Sequence, residues 1–226
     1  MRRVAIEPRP NWRSIVESQG LSFHSQGEIP YWDERACYLF TADEIDEIEE
    51  AVVELERLCL VAVDHVIRFD RFEELEIPPE FARWATASWE RGERSLYGRF
   101  DLSYRGDSPP KMLEYNADTP TSLIEAAVIQ WYWLQDRRQP ELDQFNSLHE
   151  RLIEGWAELA EDHGGSLHLC GVSASEEDAN TLVYLQDTAS QAGFTTQLLD
   201  INEVGWNRKR RQFVDLAEQP SRSMFK

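Results

Sequence analysis

Cysteine is scarce in this sequence, and the few cysteines present are not spaced for a structural role. The 226 residues contain three, Cys37, Cys59 and Cys170, an odd number with no C-x-x-C pair. Disulfide frameworks need paired cysteines, and cysteine zinc sites need closely spaced ones. The five histidines also lack the short spacing that metal ligands usually show. We therefore expect reduced thiols, a cytoplasmic location and no histidine metal site.

Long apolar runs are missing as well. The longest, Ala126 to Leu134, already includes Gln130, whereas a membrane-spanning helix needs about 18 consecutive apolar residues or more. Near the amino terminus, Arg2 and Arg3 are followed by no apolar stretch, so the pattern of a secretory signal is not met. The sequence predicts no association with a membrane.

Positive charge is in short supply. The chain has 23 Lys and Arg against 42 Asp and Glu, which gives a formal net charge of −19. A surface of that sign repels phosphate backbones and anionic lipids, so nucleic acid is not expected as a partner. It favours cationic small molecules only weakly, because many cytoplasmic proteins are acidic, and it still allows a small anion held by a local cation or metal ion. Hydrophobic residues reach 42%, enough for a packed core.

The hydrophobic pattern divides the chain into a mainly helical first part, residues 1–94, and an α/β second part, residues 95–226. Residues 1–40 show no period and are expected to be irregular. Helices are predicted over 42–68, 79–92, 119–135, 141–161 and 178–192, and strands over 96–104, 111–117, 167–172, 195–199, 212–216 and 222–225. The predicted fold class is α/β, a β-α-β domain with a helical N-terminal section and an antiparallel hairpin.

Particular residues mark the ends and the buried faces of these helices. Thr41 and Glu44 can form a capping box ahead of the first helix, and Thr119 followed by Pro120 is a helix-start signal. In the second predicted helix, the bulky side chains of Phe81, Trp84 and Trp89 are expected to be buried. The three aromatic residues 131–133 cannot all point inward at helical spacing. Part of the run 131–133 is expected to face a segment outside this chain.

The predicted hairpin is the most informative part of the sequence. Side chains alternate between the two faces of a strand, so Phe100 and Leu102 share one face of the first strand. Placing them opposite Tyr115 and Leu113 makes that face wholly apolar. A slip by one residue would bury charged side chains, which is costly.

The same register gathers four polar side chains on the opposite face, namely Arg99, Asp101, Glu114 and Asn116. Asp101 opposite Glu114 brings two carboxylates within about 5 Å at Cβ, where they repel each other. Mg²⁺ between them would remove the repulsion, since it prefers oxygen ligands. Arg99 adds a planar donor fork for a phosphate or a carboxylate. The helix predicted to start at Thr119 adds backbone N–H groups that favour an anion.

An amphipathic hairpin with a solvated polar face shows the same alternation of Arg, Asp and Glu. A Thr-Pro pair is likewise most often a plain helix start. The spacing of the residues alone therefore leaves a ligand site and a solvated surface both open.

Several stretches of the sequence resemble one known family. The hairpin contains Gly98-Arg99-Phe100-Asp101 and, after its turn, Met112-Leu113-Glu114-Tyr115-Asn116-Ala117-Asp118-Thr119-Pro120-Thr121-Ser122-Leu123. With Arg9-Pro10-Asn11-Trp12 and Pro30-Tyr31-Trp32-Asp33-Glu34, these segments look like the signature of the glutathionylspermidine synthase family. The resemblance covers the preATP-grasp portion and is closest to short bacterial members, which lack an amidase domain and are called acid–amine ligases.

The resemblance implies an ATP-dependent acid–amine ligase that joins a peptide-like acid to an amine through an acyl phosphate. Mg²⁺ is the implied cofactor and ATP the implied co-substrate. Arg99 matches the catalytic arginine, which contacts the transferring phosphoryl group and the acid substrate. Asp101, Glu114 and Asn116 match the Mg²⁺ ligands, and Arg99 with Asp101 matches the ATP contacts.

Substrate-binding residues are also implied by the resemblance. Thr119 stands where the family has a serine that touches glutathione, and Glu176 and Glu177 match an acidic pair that contacts the peptide or the polyamine. Acidic residues at a helix N-terminus also offset the helix dipole without any substrate, so both interpretations of this pair stay open. The segment Thr119-Pro120-Thr121 differs from the small-residue run of the glutathione enzyme, which puts glutathione as the acid in question.

The family's second half supplies the nucleotide clamp, and this sequence ends at Lys226 without it. We therefore expect a partial or truncated chain, equivalent to the preATP-grasp portion, that is inactive alone. The rival hypothesis is a non-catalytic remnant or interaction module that binds a small acid or peptide, and a third is an acidic scaffold with no site. The oligomeric state is not indicated by the sequence.

Overall fold

The computed structural model shows a mixed α/β fold, as the sequence predicts, and describes residues 1–118, 121–163 and 165–226. The chain forms two compact units. The first consists of Met1–Arg3, Tyr38–Ser95 and Arg99–Asn116, and the second of Val4–Cys37, Leu96–Gly98 and Ala117–Lys226.

Helices and strands follow one another along most of the chain. The helices are α1 (Trp12–Ser18), α2 (Ala42–Arg68), α3 (Pro79–Arg91), α4 (Gln130–Arg137), α5 (Leu148–His163) and α6 (Glu176–Gln191). A π-helix, Glu125–Ile129, directly precedes α4, and 3₁₀-helices span Phe72–Leu75 and Ile201–Glu203. The strands are β1 (Arg2–Ala5), β2 (Ser25–Gln26), β3 (Ile29–Pro30), β4 (Ala36–Leu39), β5 (Arg99–Ser103), β6 (Lys111–Asn116), β7 (Ser166–Gly171), β8 (Thr195–Asp200), β9 (Gly205–Asn207), β10 (Gln212–Val214) and β11 (Met224–Phe225).

The first unit contains the long helix α2, which starts and ends where the sequence predicts. Thr41 Oγ1 accepts a hydrogen bond from the Glu44 amide at 3.3 Å, and Glu44 Oε2 accepts one from the Thr41 amide at 2.9 Å. This reciprocal pair satisfies two backbone donors that the first turn of a helix leaves without a partner. The N-terminal amino group of Met1 also pairs with Glu44.

The expected burial of the aromatic side chains on α3 is wrong for two of the three. Phe81 is 51% exposed and Trp84 is 67% exposed, while Trp89 is partly buried. The rings of Phe81 and Trp84 contact each other edge to face, with centroids 5.7 Å apart. Phe81 and Trp84 do lie on one face of α3, as helical spacing predicts. Their exposure shows that no described element covers this face.

Strands β5 and β6 form the antiparallel hairpin that the alternation of side chains predicts. Arg99 pairs with Asn116, Phe100 with Tyr115 and Asp101 with Glu114, which confirms the predicted register at this end. The rings of the second pair stack with centroids 4.0 Å apart and planes 19° from parallel. The apolar pair of Phe100 and Tyr115 thus lies between two polar pairs.

The predicted pairing of Leu102 with Leu113 is wrong. Leu102 pairs with Met112, because the register shifts after Asp101. Leu113 is therefore the extra residue of a β-bulge, and its side chain is 69% exposed. The apolar face of the hairpin is shorter than strict alternation suggests.

The second unit contains a three-stranded parallel sheet in which β7 lies between β11 and β8. The β-α-β unit predicted from the sequence is β7-α6-β8. Its core includes the buried side chains of Leu169, Leu185 and Trp156. The indole Nε1 of Trp156 donates a hydrogen bond to Thr188 Oγ1 at 3.0 Å, so the polar atom of this buried ring is satisfied.

The N-terminal residues are more ordered than the sequence predicts. They form α1 and four short strands, of which β1 pairs with β4 and β2 with β3. Val16 and Leu21 are fully buried and pack with Ile124 and Ile129 in a second core cluster. Strands of two to four residues are too short to show a period, which is why pattern alone missed them.

Several predicted boundaries move by a few residues. Helix α5 begins at Leu148, not at 141. In the segment before it, side chains accept hydrogen bonds from nearby backbone amides, which competes with helix formation. Asp143 Oδ1 accepts from the Gln144 amide at 2.8 Å, and Asn146 Oδ1 accepts from the Leu148 amide at 3.4 Å. Strand β10 ends at Val214 in place of 216, and β11 has only two residues. Among the described helices, none is long and apolar enough to cross a membrane.

The segment before α4 differs most from expectation. The predicted helix start, Thr119-Pro120, lies outside the described residues. The described helical turns include a π-helix at Glu125–Ile129 and continue to Arg137, two residues past the predicted end. Trp131 is 40% and Tyr132 is 48% exposed, which confirms that the aromatic run cannot point inward throughout.

Candidate functional site

The polar face of the hairpin brings together the four side chains that the register predicts. Arg99 Nε donates to Asp101 Oδ1 at 2.7 Å, and Arg99 Nη2 donates to Asp101 Oδ2 at 3.2 Å. The same Nη2 lies 4.0 Å from Glu114 Oε1, and Asn116 Nδ2 donates to that oxygen at 3.0 Å. All four groups lie on one face because each strand contributes residues two apart.

The charges of this face are arranged around Arg99. Its guanidinium lowers the pKa of the Asp101 carboxyl by hydrogen bonding, and the side chain of Glu114 adds a smaller contribution in the same direction. Asp101 is therefore a carboxylate at neutral pH. The face is partly open to water, since Glu114 is exposed, so its ion pair adds little to stability.

The oxygen atoms of this face could serve as ligands for a hard cation such as Mg²⁺. The carboxylates of Asp101 and Glu114 and the amide oxygen of Asn116 are hard oxygen donors of the type that Mg²⁺ takes. Within the described ranges, no group of three or more His, Cys, Asp and Glu side chains could hold a metal ion. The hairpin alone could therefore supply only part of the ligands of a metal ion.

The predicted substrate-binding residues are not part of the hairpin. Glu176 and Glu177 begin α6 in the second unit, next to the N-cap Ser175, whose Oγ accepts from the Asp178 amide at 3.3 Å. Glu176 Oε2 accepts a hydrogen bond from Ser22 Oγ at 3.2 Å. Thr119 lies outside the described residues.

A tyrosine and a buried carboxyl group lie near this acidic pair, and sequence reasoning missed both. Tyr31 Oη donates to Glu125 Oε1 at 2.7 Å, and Glu125 is buried. Burial raises the pKa of Tyr31, and the charges of Glu125 and Glu177 raise it further. The signal in the sequence is a glutamate inside the apolar segment 123–134.

A second missed cluster is a buried ion pair of the second unit. Arg9 Nη2 lies 2.6 Å from Glu34 Oε1, and the Arg9 amide donates to Glu34 Oε2 at 3.1 Å. Arg9 Nη1 also pairs with Asp136 Oδ2 at 2.6 Å. Arg9 and Glu34 lie in two of the segments that carry the family resemblance, and here they bind each other.

Residues 3–226, nearly the whole chain, match the family described as glutathionylspermidine synthase preATP-grasp. The chain belongs to this family. The match includes the whole hairpin and both of the acidic positions on α6. It confirms the resemblance and the α/β fold class that the sequence analysis predicts.

Relatives of this preATP-grasp chain are named as ligases or synthetases. A Haemophilus influenzae protein named "Putative acid–amine ligase" is 38% identical over 234 aligned positions, which cover 100% of this chain and 59% of that protein. The bifunctional glutathionylspermidine synthetase/amidase of Escherichia coli is 26% identical over 84% of this chain and 30% of its own length. The trypanothione synthetase of Crithidia fasciculata is 26% identical over 57% of this chain and 20% of its own length. The chain thus spans at most about three fifths of these three relatives.

Proposed function

We propose that this chain is the preATP-grasp part of an ATP- and Mg²⁺-dependent acid–amine ligase, and that the polar face of the hairpin is part of its active site. The observation that carries the proposal is the grouping of Arg99, Asp101, Glu114 and Asn116 on one strand pair in a chain of this family. The reaction would join a carboxylate to an amine through an acyl phosphate. The three free cysteines support a reducing, cytoplasmic setting.

Each side chain of the face has a distinct role in this proposal. Arg99 would bind the oxygens of the transferring phosphoryl group and of the acid substrate, because a planar guanidinium matches both anions. Asp101 orients Arg99 through two hydrogen bonds. Asp101, Glu114 and Asn116 would hold Mg²⁺, which supplies charge neutralisation at the phosphate oxygens. Asp101 would thus contact both the metal and, with Arg99, the ATP.

Two of the residues proposed to bind the substrates, Glu176 and Glu177, belong to the second unit. Glu176 and Glu177 would attract the protonated amine or a peptide amino group, and Thr119 would contact the acid. The negative charge around Tyr31, to which Glu177 contributes, supports a cationic group as the ligand of this region.

The metal part is tested by calorimetric titration of the 226-residue chain with Mg²⁺ at low ionic strength. Asp101→Asn and Glu114→Gln should each weaken Mg²⁺ binding about ten-fold or more. Replacing even a residue that only hydrogen-bonds to a metal ligand typically lowers metal affinity by that factor. The matched control is Asp107→Asn, which removes the same charge from the exposed turn of the same hairpin. An equal effect of the control, or Mg²⁺ binding unchanged in the two hairpin variants, would contradict the assignment.

The ligase part is tested by ADP release from Mg²⁺-ATP with a peptide acid and an amine. We expect none from the chain alone, and release when the chain is joined to the part of the Haemophilus influenzae relative that the alignment does not cover. Arg99→Lys should then lower the rate at least about a hundred-fold, because the ammonium cannot make a bidentate contact. Turnover by the isolated chain, or a joined protein insensitive to Arg99→Lys, would overturn the proposal.

A further inference from the structure

The hairpin formed by β9 and β10 concentrates positive charge in an acidic chain. Its turn, called here the basic turn, consists of Arg208, Lys209, Arg210 and Arg211, and the whole hairpin, Gly205–Val214, contains no Asp or Glu. All four side chains of the basic turn are exposed. Because the chain carries a net charge of −19, the basic turn is a local exception to the sign of the surface.

The four cations of the basic turn are not neutralised within the described part of the chain. Many basic side chains elsewhere pair with a carboxylate, as Arg57 does with Glu54 at 2.6 Å. No side chain of the basic turn forms an ion pair or a hydrogen bond with a residue that the structure describes. Four adjacent like charges repel one another, and an anionic polymer would remove that repulsion.

The backbone holds the basic turn in a defined shape. Asn207 Oδ1 accepts a hydrogen bond from the Arg210 amide at 3.0 Å. The two strands pair without a shift in register, from Asn207 opposite Gln212 to Gly205 opposite Val214. Val214 is buried and anchors the hairpin in the second unit. The cations are therefore presented by an ordered element of the fold.

Two exposed aromatic rings lie directly behind the basic turn. Trp206 and Phe213 lie opposite each other on the two strands, with ring centroids 5.0 Å apart and planes 66° from parallel. They are 50% and 53% exposed. Trp206 precedes Arg208 by two residues, which is about 7 Å along a strand. An exposed ring at this distance from cations can stack on a base while the cations contact neighbouring phosphates.

The acidic remainder of the chain does not cancel this local charge. At physiological ionic strength, exposed charges farther apart than about 8 Å are largely screened from each other. The acidic residues nearest in sequence are Glu203 and Asp215. Glu203 Oε2 accepts from the Asp200 amide at 3.1 Å, and Asp215 is buried, with Oδ1 accepting from the Gln219 amide at 2.7 Å. The net charge therefore disfavours a long polyanion but allows a short one at the basic turn.

The order of charges and rings along the hairpin distinguishes among anionic partners. An element that enters a lipid surface places its apolar side chains deepest, whereas here the cations occupy the tip and the rings lie behind them. An acidic protein segment would pair with the cations and leave the exposed rings without a contact. Single-stranded nucleic acid uses both groups, because its phosphates bind cations and its bases stack on aromatic rings.

We propose that the hairpin Gly205–Val214 binds single-stranded nucleic acid, with the basic turn on the phosphates and Trp206 stacked on a base. These contacts are to phosphates and to the faces of bases, so binding should depend little on base sequence. The proposal goes beyond ligase activity, because it requires neither ATP nor Mg²⁺ nor any residue of β5 and β6.

The test is fluorescence anisotropy of a labelled oligothymidylate of about 12 nucleotides, within the usual site sizes. It is titrated with the 226-residue chain in about 0.1 M salt, where the Debye length is about 10 Å. The double variant Lys209→Gln with Arg210→Gln should weaken binding at least about five-fold, because it removes two phosphate contacts. Trp206→Leu should weaken it at least about five-fold through the lost stacking.

The matched control is the double variant Arg138→Gln with Arg222→Gln. It removes the same charge from two exposed residues of the second unit outside the hairpin and should leave the affinity within about two-fold, because distant charges are screened. A further variant, Arg211→Asn, removes one cation without adding strain. Arg211 has a φ of 52°, which Asn adopts more readily, so binding should weaken while the melting temperature is unchanged or higher.

Three results would overturn the proposal. One is the absence of binding to the oligonucleotide, including the case in which the chain binds vesicles of anionic phosphatidylglycerol instead. A second is an equal loss in the Arg138 and Arg222 control, and a third is unchanged affinity in Trp206→Leu. Unchanged melting temperatures of the free variants establish that they are folded. Trp206→Leu should keep the Mg²⁺ affinity of the unmodified chain, so failure here and failure of the ligase proposal are distinguishable.

Discussion

Arg9 and Glu34 show how a single charged pair can hold separate segments of the second unit together. Both side chains are buried, and Trp32 Nε1 also donates to Glu34 Oε1 at 3.3 Å. Taking two ions out of water costs several kcal/mol for each, which is offset only while both partners are in place. Removing one partner should therefore cost more free energy than the intact pair contributes.

We predict that Glu34→Ala lowers the free energy of unfolding by about 3–5 kcal/mol, because it leaves the buried guanidinium of Arg9 without its main partner. The measurement is urea denaturation followed by circular dichroism. The control is Glu54→Ala, which breaks an exposed 2.6 Å pair with Arg57 and should leave the free energy of unfolding nearly unchanged, because water screens such a pair. A Glu34 variant as stable as the Glu54 variant would show that the pair is not essential.

The sequence predicts the grouping on the hairpin but not these buried contacts. Arg99 and Asn116 are brought together by a local rule, the alternation of side chains across a paired register. Arg9 and Glu34 meet across 25 residues of separation, and Tyr31 and Glu125 across 94. Such contacts depend on how several elements pack, which periodicity does not report.

At the scale of elements, the β-bulge decides which apolar residues of the hairpin matter. Strict alternation assigns Phe100 and Leu113 to the same buried face. The structure stacks Phe100 on Tyr115 and leaves Leu113 unpaired and exposed. A bulge also increases the local twist, so it shapes the strand just beyond Asp101 and Glu114.

We predict that Leu113→Thr changes the free energy of unfolding by less than about 0.5 kcal/mol, as exposed substitutions usually do. Phe100→Ala should cost about 1 kcal/mol or more, because it removes a stacked aromatic pair. Both variants are compared with the unmodified chain by urea denaturation. Equal losses would mean that Leu113 is packed, as uninterrupted alternation requires.

Elements with strong local signals could be predicted, and those without them could not. The start of α2 follows from Thr41 and Glu44, and β7-α6-β8 follows from short apolar strands around a helix that ends before Gly193. No comparable signal marks β2 or β3, which have two residues each. The π-helix cannot be distinguished from an α-helix by its apolar pattern, because one inserted residue changes the period only locally.

At the scale of the whole molecule, burial is distributed unequally between the two units. Among the buried hydrophobic side chains of the described residues, Phe72 alone belongs to the first unit. Helix α2 has 27 residues and no fully buried side chain among those described, and it exposes Val53, Leu60 and Val61. Buried apolar area is the main favourable contribution to folding, so the first unit has less to resist local opening.

We therefore predict that the amide hydrogens of α2 exchange through openings of lower free energy than those of β7. Peptides from α2 should exchange at least about ten-fold faster than peptides from β7, after correction for intrinsic rates, because opening free energy follows local burial. Hydrogen exchange measured by mass spectrometry at neutral pH decides this, with α6 as an internal control, since Leu185 and Ala189 on that helix are buried. Equal protection of α2 and β7 would show that the long helix is stabilised by more than the burial seen in this chain, and that the two units unfold together.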